Sequence, residues 1–160
     1  MRENLSGDGP AARKVLAVSS SGGHWVQLQR LVSAFDDCDV IFATTEPGYA
    51  VEIAPRRLHV VRDATRWDRL GCFVLLFQMA RLVMRERPEV VITTGAAPGC
   101  FAVIFGRLFG ARTIWVDSIA NVERVSLSGR LVRPFTGLWL TQWPSLAEGE
   151  GAPEYAGAVF

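Results

Sequence analysis

The chain has 160 residues, 49% of them hydrophobic, with 17 Lys and Arg against 16 Asp and Glu and a formal net charge of +1. That length fits one domain with a sizeable core, and the balanced charge offers no bulk attraction for nucleic acid, so no nucleic-acid partner is expected. No apolar stretch reaches the roughly 18–20 residues that a membrane-spanning helix needs.

Residues 1–12 are polar and contain Gly and Pro. They read as a disordered leader rather than a signal peptide, with the domain expected over residues 13–160. Lys14-Val-Leu-Ala-Val-Ser-Ser-Ser-Gly-Gly-His24 then opens the fold. The apolar run predicts a buried strand, Val15–Ser19, followed by a helix over His24–Phe35 with Leu28, Leu31, Val32 and Phe35 on one face. Glycines between a strand and a helix either serve a tight turn alone or let an anion approach free backbone N–H groups. The loop lacks the Lys of a Walker element and the spacing of the dinucleotide fingerprint.

Further strands are expected at Val40–Ala43, Leu58–Val61, Val90–Thr93, Thr113–Val116 and Leu138–Thr141. Further helices are expected at Asp68–Glu86, Gly99–Phe109 and near Gly129–Arg133, with a short one allowed between Thr44 and Arg57. Strands alternating with helices predict a single α/β, Rossmann-like domain with a mostly parallel sheet covered on both faces.

Eight arginines lie between Arg56 and Arg87, against Asp63, Asp68 and Glu86. Inside that stretch Leu70–Met84 is apolar almost all round as a helix, with Trp67 just before it. One reading is a patch lying on anionic lipid. The other is a helix sandwiched between the sheet and a partner, with solvated arginines at its ends.

Ligand loops in such folds gather at the C-terminal edge of the sheet. Four loops, at Ser20–His24, Thr44–Glu46, Thr94–Gly99 and Asp117–Asn121, are expected to face one crevice suited to a phosphate-bearing substrate. His24 would act there as a base or orient a phosphate, unless it merely bonds backbone. Asp117 would be a base or a positioning carboxylate, unless it caps a helix or anchors a loop. Glu46 and Glu123 are weaker candidates, and His59, on a strand, reads as structural. Cys38, Cys72 and Cys100 sit in apolar surroundings without metal-ligand spacing; an odd count with no evident secretory signal favours reduced thiols in a cytoplasm. No metal site is expected.

Ser20-Ser-Gly-Gly-His24, Thr93-Thr-Gly95, Val116-Asp-Ser-Ile-Ala-Asn-Val122, Ser126-Leu-Ser-Gly-Arg130 and Gln142-Trp-Pro144 together resemble one family. It is the family of bacterial polysaccharide-biosynthesis proteins homologous to the membrane-anchoring subunit of the eukaryotic dolichol-diphosphate N-acetylglucosamine transferase. The resemblance runs from about Lys14 to the C-terminus. It also implies similarity to the N-terminal, acceptor-binding half of the lipid I N-acetylglucosaminyltransferase, a GT-B enzyme.

The resemblance implies several properties. The chain would be the acceptor-binding, membrane-associating subunit of an inverting glycosyltransferase that works on a polyprenyl-diphosphate-linked saccharide, as in exopolysaccharide biosynthesis. A separate glycosyltransferase subunit would bind the UDP-sugar. A non-catalytic scaffold that recruits such a partner is the alternative. Gly22, Gly23 and His24 match the family's diphosphate-binding loop, Asp117 an acid before Ser, and Asn121 a position where some relatives carry Arg. The implied catalytic pair is His24 and Asp117. The implied diphosphate contacts are Ser21, Gly22, Gly23, Thr94, Gly95, Ser118 and Asn121. No cofactor or metal is implied. Eukaryotic relatives begin with a spanning helix that this sequence does not show. That leaves Trp67, Phe73, Phe77 and Arg81, with Phe101–Phe109 as a second candidate stretch, as the expected contact of a peripheral protein on the cytoplasmic face of the inner membrane.

Overall fold

A computed structural model describes residues 12–65 and 67–159. The expected leader up to residue 11, Arg66 of the basic stretch and the terminal Phe160 lie outside the described residues. Among the described residues seven strands form one sheet: β1 (Lys14–Val18), β2 (Asp39–Thr44), β3 (Arg57–Val60), β4 (Val90–Thr93), β5 (Arg112–Val116), β6 (Leu138–Thr141) and β7 (Glu154–Tyr155). Their order is β3-β2-β1-β4-β5-β6-β7, and every pairing is parallel. The expected mostly parallel sheet is therefore parallel throughout.

The helices are α1 (Gly23–Leu31), α2 (Ala50–Ile53), α3 (Arg69–Glu86), α4 (Ala96–Leu108) and α5 (Leu127–Val132). Alternation along the strands divides the core. Leu16 and Val18 of β1, with Ile41, Ala43 and Val91, meet Leu75, Met79, Leu82 and Val83 of α3. Val15 and Ala17, with Val40, Phe42 and Ile92, meet Trp25 and Leu28 of α1 and Ile53 of α2. Val103 of α4, Trp115 of β5 and Val132 of α5 close the α3 side. Strands buried on both faces must be apolar at every position, which is why β2 and β4 are legible as continuous runs.

Three helix limits differ from expectation. α1 stops at Leu31 because the Val32 N–H bonds Gln29 O, three residues back, and Val32–Phe35 tighten into a 3-10 turn. α4 starts at Ala96, three residues early, because Pro98 falls in the first turn, where a missing N–H costs nothing. α5 starts at Leu127 because the Ser126 hydroxyl caps it by accepting from Gly129 N at 2.9 Å. α3 begins where expected, with Asp68 accepting from Gly71 N at 2.8 Å, and ends at left-handed Arg87 before Pro88.

Leu70–Met84 is not apolar all round in its contacts. Leu75, Met79, Leu82 and Val83 are buried, whereas Leu70, Phe73, Val74, Phe77 and Met84 are exposed. With exposed Arg81, these form a stripe at helical spacing along the outer side of α3. Both sequence readings thus share one helix, an inner face on the sheet and an outer face with apolar side chains uncovered.

Candidate functional site

Adjacent β1 and β4 are where the strand order reverses, since the chain winds from β1 toward β3 and then from β4 toward β7. A doubly wound sheet opens a crevice at that point. Two helices start there, α1 after Gly22 (φ +72°) and α4 after Gly95 (φ +122°). Both glycines adopt backbone angles that L side chains avoid. Neither start carries a side-chain cap. The first-turn N–H groups of Gly23, His24, Ala96 and Ala97 therefore have no intrahelical acceptor and face the edge with the positive ends of two helix dipoles.

His24, Gly95, Ala96, Asp117, Ser118, Asn121, Ser126 and Ser128 are among the residues lining a cavity of about 210 Å³ at this edge. That is below the roughly 300–1,000 Å³ of a site enclosing a whole small molecule. It suits a diphosphate or the end of one sugar.

His24 Nδ1 lies 2.8 Å from Thr94 O. A carbonyl only accepts, so Nδ1 carries a proton, and in the neutral ring Nε2 is a free acceptor. Thr94 returns the contact, its hydroxyl donating to His24 O at 2.7 Å. A Cβ at Gly95 would stand 3.1 Å from His24 Cε1, so glycine lets the ring lie against the β4–α4 loop.

Asp117 is buried at the end of β5. Its Oδ1 accepts from Ser118 N at 3.0 Å and Asn121 Nδ2 at 2.8 Å, and its Oδ2 accepts from Ser126 N at 2.7 Å. Both oxygens thus hold the loop that leads to α5, the anchoring role weighed for this residue from sequence.

Two buried carboxamides that sequence reasoning did not single out as site residues tie that loop to α1. Gln27 Nε2 donates to Gly23 O at 3.1 Å and to Ser118 Oγ at 3.2 Å. Its Oε1 accepts from Ile119 N at 3.0 Å and from Gln142 Nε2 at 2.6 Å. Gln142 Nε2 also donates to Asp117 O at 3.0 Å, and its Oε1 accepts from Val159 N at 2.9 Å. Trp143 Nε1 donates to Ile119 O at 2.8 Å. The Gln142-Trp-Pro144 motif therefore clamps the Asp117–Asn121 loop. Gln27, three residues after His24 and so on its face of α1, was the available signal.

The second expected loop does not line the cavity; it braces the glycine turn from behind. Ser21 N donates to Thr45 Oγ1 and Gly22 N to the Tyr49 hydroxyl, each at 3.1 Å. Those two N–H groups are engaged inside the protein, which leaves Gly23 and His24 as the open donors of that turn. Thr94 is fully buried and spends its polar atoms on His24. Glu46 accepts from Gly48 N at 2.9 Å and caps a 3-10 turn. Glu123 is exposed beside a different cavity. His59 Nε2 lies 3.3 Å from Glu86 Oε1 without hydrogen-bond alignment, while Arg57 holds Glu86 Oε2 at 2.9 Å. Burial pushes the Cys100 thiol up, outweighing a hydrogen bond with Ser128 that lowers it, so this thiol stays protonated at neutral pH.

Of the expected membrane contacts, Phe73 and Phe77 are 61% and 57% exposed, Trp67 is exposed in the turn before α3, and Arg81 continues the same stripe. The two phenylalanines meet edge to face at 4.8 Å. Leu108 and Phe109 are exposed at the far end of α4, while Phe101 and Phe105 pack partly on the core.

A family model described as "Oligosaccharide biosynthesis protein Alg14 like" matches residues 55–159, which carry the β4–α4 loop, the Asp117 loop and Gln142. The chain belongs to the Alg14 family. The UDP-N-acetylglucosamine transferase subunit ALG14 of Yarrowia lipolytica is 39% identical over 174 residues, covering 91% of this chain and 81% of that protein. The mouse protein of the same name is 26% identical over 180 residues, covering 91% and 82%. Both relatives are eukaryotic, so they support an Alg14-family transferase subunit but not the bacterial, exopolysaccharide setting of the expectation. The fold matches MurG from Acinetobacter baumannii with a TM-score of 0.74 at 10% identity, over 92% of this chain and 46% of that one. It matches the S. aureus MnaA–UDP structure with a TM-score of 0.65 at 13% identity, over 91% and 45%. At those identities the likeness is one of fold. The chain spans somewhat less than half of each, and its fold is that of the N-terminal half of the GT-B architecture.

Proposed function

We propose that this Alg14-family chain is the acceptor-binding, membrane-associating subunit of a two-chain inverting glycosyltransferase. A partner subunit binds the UDP-sugar, and the acceptor is a polyprenyl-diphosphate-linked saccharide. The observation that carries the reading is the crevice between β1 and β4, where two uncapped helix starts meet a histidine with a free ring nitrogen. The N–H groups of Gly23, His24, Ala96 and Ala97 hold the diphosphate. The acceptor hydroxyl oxygen bonds to the anomeric carbon of the sugar. The bond from that carbon to the nucleotide oxygen breaks, its electron pair leaves on the diphosphate, and the hydroxyl proton passes to His24 Nε2. Asp117 and Asn121 fix the loop opposite.

The engaged oxygens of Asp117 favour a second reading, in which this chain binds and recruits while its partner carries the chemistry. Sugar transfer from UDP-N-acetylglucosamine to lipid-linked acceptor, run with each chain alone and with both, decides. Activity only with both supports the split enzyme. Activity of the partner alone, merely enhanced by this chain, supports the scaffold.

Membrane association rests on the outer stripe of α3. No helix among the described residues is long and apolar enough to cross a bilayer. Phenylalanines and an arginine on one exposed face suit peripheral attachment to an anionic surface, here proposed to be the cytoplasmic face. Replacing Phe73, Phe77 and Arg81 together with Ser, Ser and Glu is expected to release the protein from anionic vesicles in flotation and to leave its circular dichroism unchanged. Unfolding of that variant would show instead that the stripe belongs to the core.

A further inference from the structure

A second cavity, of about 500 Å³, opens beside the Asp117 loop and is lined by Arg124, Arg130, Arg133 and Trp139, with Glu123 and Glu150 as its acids. It adjoins the first along the chain. Ser126 lines the first cavity, while Arg124 and Val125, just before it, line the second. Arg130 comes from α5, and Arg133 starts the 3-10 turn that follows. None of the three arginines forms an ion pair among the described residues, although two carboxylates line the same space. Arg133 is exposed and points toward Trp139. Its guanidinium lies over the Trp139 ring, 5.9 Å from the centroid, and any side chain at Gly151 would collide with it. Trp139 Nε1 is buried with no hydrogen-bond partner among the described residues. An exposed guanidinium beside an aromatic ring, in no ion pair among the described residues, can present its N–H fork to a pair of phosphate oxygens.

We infer that this cavity receives the diphosphate of a nucleoside diphosphate, the leaving group of the incoming sugar nucleotide, with Arg133 and Arg130 as its principal contacts. The inference rests on the proposed transferase reading. In the displacement written above, negative charge builds on the departing diphosphate oxygen. Cations beside that position stabilise it. Three arginines one loop away from the acceptor crevice supply such a field from this chain, whatever the partner adds.

The test uses the full chain labelled with ¹⁵N and follows the Trp139 indole resonance, assigned with Trp139→Phe. Uridine diphosphate, inorganic pyrophosphate and uridine are the probes. The two diphosphates are expected to shift the Trp139 signal and uridine to leave it in place, with binding at least about tenfold weaker in Arg133→Gln. Arg130→Gln, at an exposed position of α5, repeats the test should Arg133→Gln fail to fold. In the two-chain transfer assay Arg133→Gln raises KM for the UDP-sugar and leaves KM for the acceptor unchanged. Diphosphate shifts confined to Gly23, His24 and Ala96, with Trp139 stationary, would overturn this inference and leave the acceptor crevice standing. No shift at either place would overturn both.

Discussion

His24→Ala, assayed with the partner subunit present, is expected to lower kcat for sugar transfer by about 10²–10⁴-fold, the usual contribution of a positioned acid or base. The variant loses one contact to Thr94 O and opens no core cavity, because the ring sits half-buried against Gly95. Circular dichroism and the melting temperature should therefore stay near those of the parent. The size of the loss separates the two readings of this chain. A base taking the acceptor proton gives the full loss in kcat with little change in KM for the nucleotide sugar. A histidine that only shapes the crevice raises KM for the acceptor and spares kcat. A change below about threefold in both parameters would place the chemistry on the partner.

Gln27→Leu is expected to destabilise the protein by about 2–4 kcal/mol. The change removes the acceptor of Ile119 N and one acceptor of Gln142 Nε2, together with the donor to Gly23 O and Ser118 Oγ. All these groups lie in or against a buried network, where an orphaned polar atom costs about 1–3 kcal/mol. Leucine recovers part of the loss through its apolar surface. In a chain of this size the melting temperature should fall by roughly 4–16 °C. The urea midpoint should fall with an unchanged slope, as expected when the native state is weakened rather than reshaped. Gln27→Glu keeps the shape but buries a carboxylate and sets an acceptor against Gly23 O, so its cost should be at least as large. A loss under about 1 kcal/mol for Gln27→Leu would mean that water replaces the carboxamide and that the clamp between α1 and the Asp117 loop is weak.

The parts of the fold that burial dictates were legible in the sequence. β2 and β4 read as apolar runs because helices cover both faces, and the loops after β4 and β5 carry small and polar residues of the crevice. β7 was not legible. Glu154-Tyr155 has no apolar run, and only its pairing with Leu140 and Thr141 makes it a strand. The early start of α4 was hidden by Pro98, which signals a break in a helix interior and is tolerated in the first turn. In the site, the glycine turn, His24 and the Asp117 loop converge as expected, since consecutive parallel units place them at one edge. Hydrogen-bond partners decide the rest. Ser21 and Gly22 give their N–H groups to Thr45 and Tyr49, and Asp117 gives both oxygens to its own loop. A glutamine on α1 does not announce that it is buried; its spacing from His24 places it on the right face, and the packing of α1 on the loop after β5 gives it its role.

The most direct test of the account is whether this chain by itself holds a lipid-linked diphosphate in the crevice between β1 and β4. Titration of the full chain with a short-chain polyprenyl diphosphate sugar, followed by backbone amide resonances, reads this residue by residue. The account predicts saturable shifts at Gly23, His24, Ala96 and Ala97, weakened when inorganic pyrophosphate competes. Binding with shifts confined to the α3 stripe, or no saturable response at those four amides, would contradict it.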